Sequence, residues 1–355
     1  MRYVIYGAQS IAYGAYKAIK ELFPEQEILC FIVSEMGRNA HTLGGIPVME
    51  LNEFLKRTPS EEMKKIEVLI AVPENVMPDI VTNLERKEIC NYVCLDSFRW
   101  AALVHNAFLR AGKYLPLAAY VVGHSRARLH VFKMIHFRDK PLKMKYSDPE
   151  YIQTLQVGTV VTPKMDTDFH DNKGDNISGK NGNYSELTGL YWIWKNDRSD
   201  YVGLSHYRRH FEVNEKDLET LADSDIDVVL TIPIFDVPSV ERVYQRDHVE
   251  ADWQVMMEGM KTLCPEYLKA ARELSKGRFY YAYNMFLMRR EILEKYCQWL
   301  FPLLLYCEKR CSGRERDSYQ GRYIGFLAEH LMSIYFLYHE KEYKVVHARK
   351  HFVEW

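Results

Sequence analysis

Residues 201–211 read YVGLSHYRRHF. Tyr201 to Ser205 forms an apolar strand that ends abruptly in His206, Tyr207, Arg208, Arg209 and His210. Ligands of α/β sheets lie beyond the carboxyl ends of strands, where guanidinium groups suit a diphosphate through paired, charge-assisted hydrogen bonds. A solvated basic turn is the alternative, and the crowding of His206, Tyr207, Arg208 and Arg209 at one strand end argues against it. The stretch points to an α/β sheet with an anion site at its edge.

Immediately upstream, residues 174–196 read GDNISGKNGNYSELTGLYWIWKN. Asp175, Asn176, Ser178 and Asn181 crowd a Gly-containing loop of the kind that aims acceptors and N–H groups at a ligand. Ser185 and Glu186 open a helix that Tyr191, Trp192, Trp194 and Lys195 close. Trp192 and Ile193 belong in a core, whereas Asp175, Asn176 and Lys195 are expected to touch ligand. Downstream, RDHVEADW (246–253), FYYAYNMFLM (279–288) and GFLAEHL (325–331) hold the remaining polar candidates. A hydroxyl that is to act as a nucleophile needs a carboxylate or histidine as base, which selects His248, Asp252 and Glu329 by type. Each of these also fits a salt bridge or helix cap. Tyr283 and Asn284 would border the group that brings the hydroxyl.

A second α/β pattern precedes this one. Apolar runs at 3–6, 28–33, 67–72 and 92–95 alternate with helical periodicity at 12–22, from 52 and at 76–86, which reads as a small parallel sheet. The expected organisation is a Rossmann-like domain over 1–97, a linking helix over 98–126 and a second α/β domain over 127–355. The turn Gly7-Ala8-Gln9-Ser10-Ile11-Ala12 keeps only the first glycine of a dinucleotide fingerprint, so Gln9 stands where close backbone approach is needed. FIVSEMGRNAHTLGGIPVMELNEF resembles Rossmann-like domains that precede sugar-modifying and polysaccharide-assembly enzymes, which implies an accessory role. A nicotinamide-dependent sugar-nucleotide oxidoreductase or epimerase using this domain is the rival reading. A docking role for it is a third.

With 355 residues, 47% hydrophobic and 27% charged, the chain can bury more than one core. Lys plus Arg (47) against Asp plus Glu (48) leaves a net charge of -1 and no broad basic footprint, so nucleic acid is not an expected partner. Seven scattered cysteines read as reduced thiols of a cytoplasmic protein. The N-terminus lacks the pattern of a signal peptide, and no uncharged apolar run reaches the length of a membrane span.

The ordered set GDNIS, ELTGLYWIWKN, YVGLSHYRRHF, YNMFLMRREILEKYCQWLFPLL and GFLAEHL resembles a bacterial glycosyltransferase family of capsule, exopolysaccharide and O-antigen gene clusters, long catalogued as a domain of unknown function. The resemblance covers about residues 129–350. It implies a GT-A-like fold, a nucleotide-sugar donor, UDP-linked above all, and galactosyl or galactofuranosyl transfer to a lipid-linked oligosaccharide at the inner face of the cell membrane. Donor contacts would come from Asp175, Asn176, Ser178, Asn181, Lys195 and His206 to Arg209. GT-A enzymes usually carry Asp-x-Asp at a strand end for Mn2+ or Mg2+. Here that place holds His206-Tyr207-Arg208, and Asp223-Ser224-Asp225 and Asp225-Ile226-Asp227 precede a strand. No metal ligand is therefore assigned and no cofactor is expected with certainty.

Overall fold

The computed structural model describes residues 2–112, 128–142, 151–213 and 224–352, with the single residues 117, 148 and 221, and divides the chain into two compact units. The first comprises Met1–Tyr114 and Ile234–Val237. Its strands are β1 (Arg2–Tyr6), β2 (Glu27–Val33), β3 (Thr42–Leu43), β4 (Ile46–Glu50), β5 (Ile66–Ile70) and β6 (Tyr92–Cys94), in the order β3-β4-β2-β1-β5-β6. All neighbours run parallel except β3 and β4. The four apolar runs correspond to β1, β2, β5 and β6. The β3–β4 hairpin was not foreseen, and its two-residue loop Gly44-Gly45 has φ of 62° and 82°, the left-handed backbone such loops require. At the turn after β1, a Cβ on Gly7 would stand 2.5 Å from the Ala71 carbonyl oxygen, so only glycine fits. Gln9 turns its amide to Asn39.

The helix Ser97–Arg110 lies in this same unit and buries Ala101, Val104, Ala107 and Phe108. Gly14, on the helix Ser10–Leu22, leaves room for Trp100, whose indole N–H donates to Ile11 O at 2.9 Å. The described part of the expected 98–126 link is thus a packed helix; residues 113–116 and 118–126 lie outside the described ones. β13 (Ile234–Phe235) joins the unit from far along the chain, with Phe235 stacked on Phe108 at 5.8 Å.

The second unit, Leu115–Pro233 and Pro238–Trp355, is built on β7 (Leu129–Ile135), β8 (Ile152–Gln156), β9 (Phe169–His170), β10 (Tyr201–His206), β11 (Arg209–Phe211), β12 (Val228–Thr231), β14 (Phe279–Tyr280), β15 (Phe286–Arg289), β16 (Val345–Ala348) and β17 (Lys350–Phe352). The main sheet runs β16-β12-β15-β10-β7-β8-β9, and β11 bridges β10 to β17. β10, β7, β8 and β9 are parallel, while β15 runs antiparallel between β10 and β12. Both units bear out an α/β chain with an N-terminal, mostly parallel sheet and a C-terminal mixed sheet.

Helices Leu187–Asn196, Glu250–Leu263, Arg290–Cys311 and Tyr323–Tyr338 bury Trp253, Tyr296, Met256 and Tyr335 in the core of this unit. Side chains of this kind contribute about 1.5–3 kcal/mol each on burial. Gly189 sets the 187–196 helix close on the sheet, where a Cβ would press on Met134 and Val157. All seven cysteines are free thiols. No helix among the described residues is long and apolar enough to cross a membrane.

Candidate active site

β10 carries His206 to the carboxyl edge of the sheet, Tyr207 and Arg208 form a two-residue turn, and β11 returns with Arg209 opposite His206. Because β15 is antiparallel to β10, the Tyr283–Asn284 turn that precedes it arrives beside the same strand end. Tyr283 and Asn284 have φ of 74° and 51°, and Ser185 has 51°. Four non-glycine residues among the described ones adopt positive φ, and three of them surround this edge. Each such residue costs on the order of 1–3 kcal/mol, a strain that persists only where neighbours enforce it.

The turn organises three side chains. His206 donates from Nε2 to the Tyr283 carbonyl at 2.6 Å, and the Tyr283 N–H acts on the Glu329 carboxyl, lowering it. Asn284 donates from Nδ2 to Glu186 Oε1 at 2.7 Å and to the Gly325 carbonyl at 3.4 Å. Arg209 covers the Tyr283 ring at 4.4 Å, and Arg322 donates from Nε to Ser185 Oγ at 2.9 Å.

Burial first, then the charge of Glu186, pushes the Glu329 carboxyl up to about 8, against the pull of the Tyr283 N–H, Arg209 and Arg322. Burial holds His206 below the usual imidazole range, although Glu186 opposes this. Just beyond β7, Asp139 is pushed up to about 6 by burial, against the His136 N–H that it accepts at 2.7 Å and against Arg208 and Arg322. Burial and neighbouring Arg209 both lower Arg208, a sign of concentrated positive charge. The edge therefore joins a proton-accepting carboxyl, a histidine and the cations Arg208, Arg209 and Arg322.

The other sequence candidates go elsewhere. Ser178 is fully buried and donates to Asp171 at 2.5 Å, while Asp171 accepts from Gly158 N and Thr159 N; these bonds build the loop after β8. Asn181 is 7% exposed and donates to the Ser185 carbonyl at 2.8 Å, supporting the strained turn before Glu186. Asn176 closes an Asx turn on Gly174 O and Ser178 N. Asp175 is exposed and accepts from Tyr191 at 3.2 Å. Lys195 sits 3.4 Å over the Trp194 ring, nine residues and so about 14 Å along the helix from Glu186. It lies toward the end of the helix that leads into β10, whereas His206 closes that strand, so Asp175 and Lys195 do not join the strand-end group.

Asp252 is 1% exposed and its carboxylate is taken by Arg314 and by Arg316 at 2.6 Å. His248 stacks on Phe326 at 4.2 Å and is lowered by burial. Asn284, expected at an acceptor surface, is 1% exposed and faces Glu186. Glu186, Arg322, His136 and Asp139 were passed over by sequence reading. The strand-end rule applied to β7 would have found His136 and Asp139, and Arg322 lies two helical turns before Glu329 on one face.

Among the described residues no group of three or more His, Cys, Asp or Glu side chains is arranged for a metal ion. Asp225 pairs with Lys344 at 2.6 Å, and Asp227 accepts from Lys344 N and lies 3.4 Å from Arg289; Asp223 lies outside the described residues. The Asp-x-Asp letters thus serve the start of β12, and the strand end carries cations. This edge does not fit the donor set of a GT-A metal.

A family model described as Domain of unknown function (DUF4422) matches residues 133–341. Among solved structures, the apo structure of WbbM, a bifunctional glycosyltransferase, is similar at 28% identity and a TM-score of 0.57, over 63% of this chain and 45% of that one. The present chain spans less than half the length of that protein. No curated protein matches. The C-terminal unit thus has the fold of a glycosyltransferase-like domain.

Proposed function

The chain belongs to the family described as Domain of unknown function (DUF4422), and on that premise we propose that it is a glycosyltransferase of polysaccharide assembly. The donor is a nucleoside-diphosphate sugar, UDP-linked, with galactose or galactofuranose as the sugar. The acceptor is a hydroxyl of a lipid-linked oligosaccharide, met at the cytoplasmic face of the membrane.

One observation carries this reading. The Tyr283–Asn284 turn gathers Glu329, Glu186 and His206 beside Arg208, Arg209 and Arg322 at the carboxyl end of β10. In the proposed step Glu329 takes the acceptor proton while the hydroxyl oxygen forms its bond to the anomeric carbon. The bond from that carbon to the diphosphate oxygen breaks, and its electron pair leaves with the nucleoside diphosphate. Arg208, Arg209 and Arg322 offset the charge that develops there, as preorganised cations do. Tyr207 and Tyr283 border the sugar. Phe137, Val160 and Val161 stand exposed on the loops after β7 and β8 and offer apolar surface to a base or sugar face.

Calorimetric titration with UDP-galactose and other nucleotide sugars tests the proposal. Arg208→Ala is expected to weaken donor binding about 10- to 100-fold, the loss of one charge-assisted contact, while exposed Lys56→Ala leaves it unchanged. Equal affinity in wild type and Arg208→Ala removes Arg208 from the site.

A further inference from the structure

We infer that Tyr319, Phe326 and His248 form an aromatic platform that seats a pyranose ring of the acceptor beside Glu329. This rests on the reading of Glu329 as the base of a glycosyltransferase, and it gives that reading an acceptor subsite.

Three rings from two segments stack together. His248, at the end of the helix Val240–Asp247, lies on Phe326 at 4.2 Å with the planes 28° apart. Tyr319 stands 6.0 Å from the His248 ring at 20°, and 5.1 Å from Phe326. Gln320 fastens the two segments, since its Nε2 donates to the Asp247 carbonyl at 2.8 Å. Burial falls off across the group: His248 and Phe326 are half-buried, and Tyr319 is 54% exposed. A tyrosine held at the surface by stacked neighbours presents a rigid, amphipathic ring to solvent.

The place of that ring points to its occupant. Arg322, Phe326 and Glu329 follow one another at spacings of four and three, on one face of the helix Tyr323–Tyr338 and the turn before it. Phe326 is therefore about 4.5 Å along the axis from Glu329, close to the length of one sugar ring. The same helix is tied to the strand-end group, because Arg322 donates to Ser185 Oγ at 2.9 Å and the Gly325 carbonyl accepts from Asn284 at 3.4 Å. In the sheet, β15 and β7 flank β10 on opposite sides. A donor seated toward β7 and β8 leaves the side of β15 for the acceptor, which is where the base must stand.

A pyranose carries a patch of C–H bonds on one face and hydroxyls round its rim. The platform matches the patch, and Arg322 and Asp247, both exposed, match the hydroxyls at its border. Tyr338, 43% exposed and stacked on Tyr267 at 4.0 Å, closes the far end of the same helix, about 14 Å beyond Glu329, and serves as the control.

The test is saturation-transfer NMR on the full chain, with and without UDP, titrating methyl β-galactopyranoside and methyl β-glucopyranoside. Wild type is expected to saturate the C–H face of at least one glycoside. Tyr319→Ala weakens that binding about tenfold, while Tyr319→Phe, which keeps the ring, and Tyr338→Ala leave it in place. Because Tyr319 is exposed, its alanine variant is expected to melt like wild type. The absence of a Tyr319-dependent signal for both glycosides overturns the platform. Calorimetric affinity for UDP-galactose is expected to be unchanged in Tyr319→Ala; a comparable loss there would put the ring under the donor and overturn the acceptor assignment. If wild type binds no nucleotide sugar and transfers none, the reading of function fails separately, and the glycoside titration without UDP still decides the platform.

Discussion

Glu329 is held by folding in a form that water would not favour. Its carboxyl is raised from 4.5 to about 8, so the folded state binds the proton more tightly than the unfolded chain. The stability this proton supplies is complete below pH 4.5 and is lost as pH rises through about 8. Glu329→Gln keeps the shape and removes the titration. It is expected to melt like wild type near pH 4 and to be more stable at pH 9, by on the order of 5 kcal/mol. Thermal melts of both proteins across that range check this, and a variant that gains nothing at pH 9 would show Glu329 to be ordinarily solvated. Of the three base candidates that residue type selects, only Glu329 has these surroundings. Asp252 has its own cations and His248 an aromatic stack, facts of neighbourhood that identity alone does not carry.

At the scale of elements, the segment between the helices Arg290–Cys311 and Tyr323–Tyr338 delivers Arg322 and starts the helix of Glu329. Asp252 holds that segment through Arg314 and Arg316, and Arg316 in turn covers the Tyr323 ring at 4.0 Å. Removing one partner of a buried ion pair leaves the other charge uncompensated and costs about 3–5 kcal/mol. Asp252→Asn is expected to lose about that much, read as a lower urea midpoint at unchanged slope. A loss below about 1 kcal/mol would mean that the segment is held by other contacts. The β10–β11 hairpin and the Tyr283–Asn284 turn are the other two elements of the site. YVGLSH could be read as a strand ending in polar groups, but the aromatic run 279–288 hid a turn, because nothing in it marks residues 283 and 284 as left-handed.

At the scale of the whole molecule, Arg208 and Arg209 stand at the carboxyl end of β10, and Asp225 and Asp227 are spent on Lys344 and Arg289 at the start of β12. A donor diphosphate can be offset by a divalent ion or by fixed cations, and this edge supplies the latter. Sugar transfer is therefore expected to persist after exhaustive chelation with EDTA. Complete loss, with full recovery on adding Mn2+ or Mg2+, would overturn the fixed-cation reading. The first unit keeps a Gly7 turn without the following glycines, and Gln9 bonds Asn39, which gives the rival nicotinamide reading little support.

Periodicity alone determined the alternation of strands and helices in both units, since β1, β2, β5, β7, β10 and β12 are apolar runs long enough to be read locally. It also placed the basic cluster at the end of β10. β8 escaped because IQTLQ alternates with polar residues, and the β3–β4 hairpin because its strands are too short to show a period. Only the tertiary structure decided which polar groups share the site. Pairings such as β12 with β16, or Asn284 with Glu186, span about a hundred residues of chain, and the burial that sets the charge of Glu329 exists only once those segments have met.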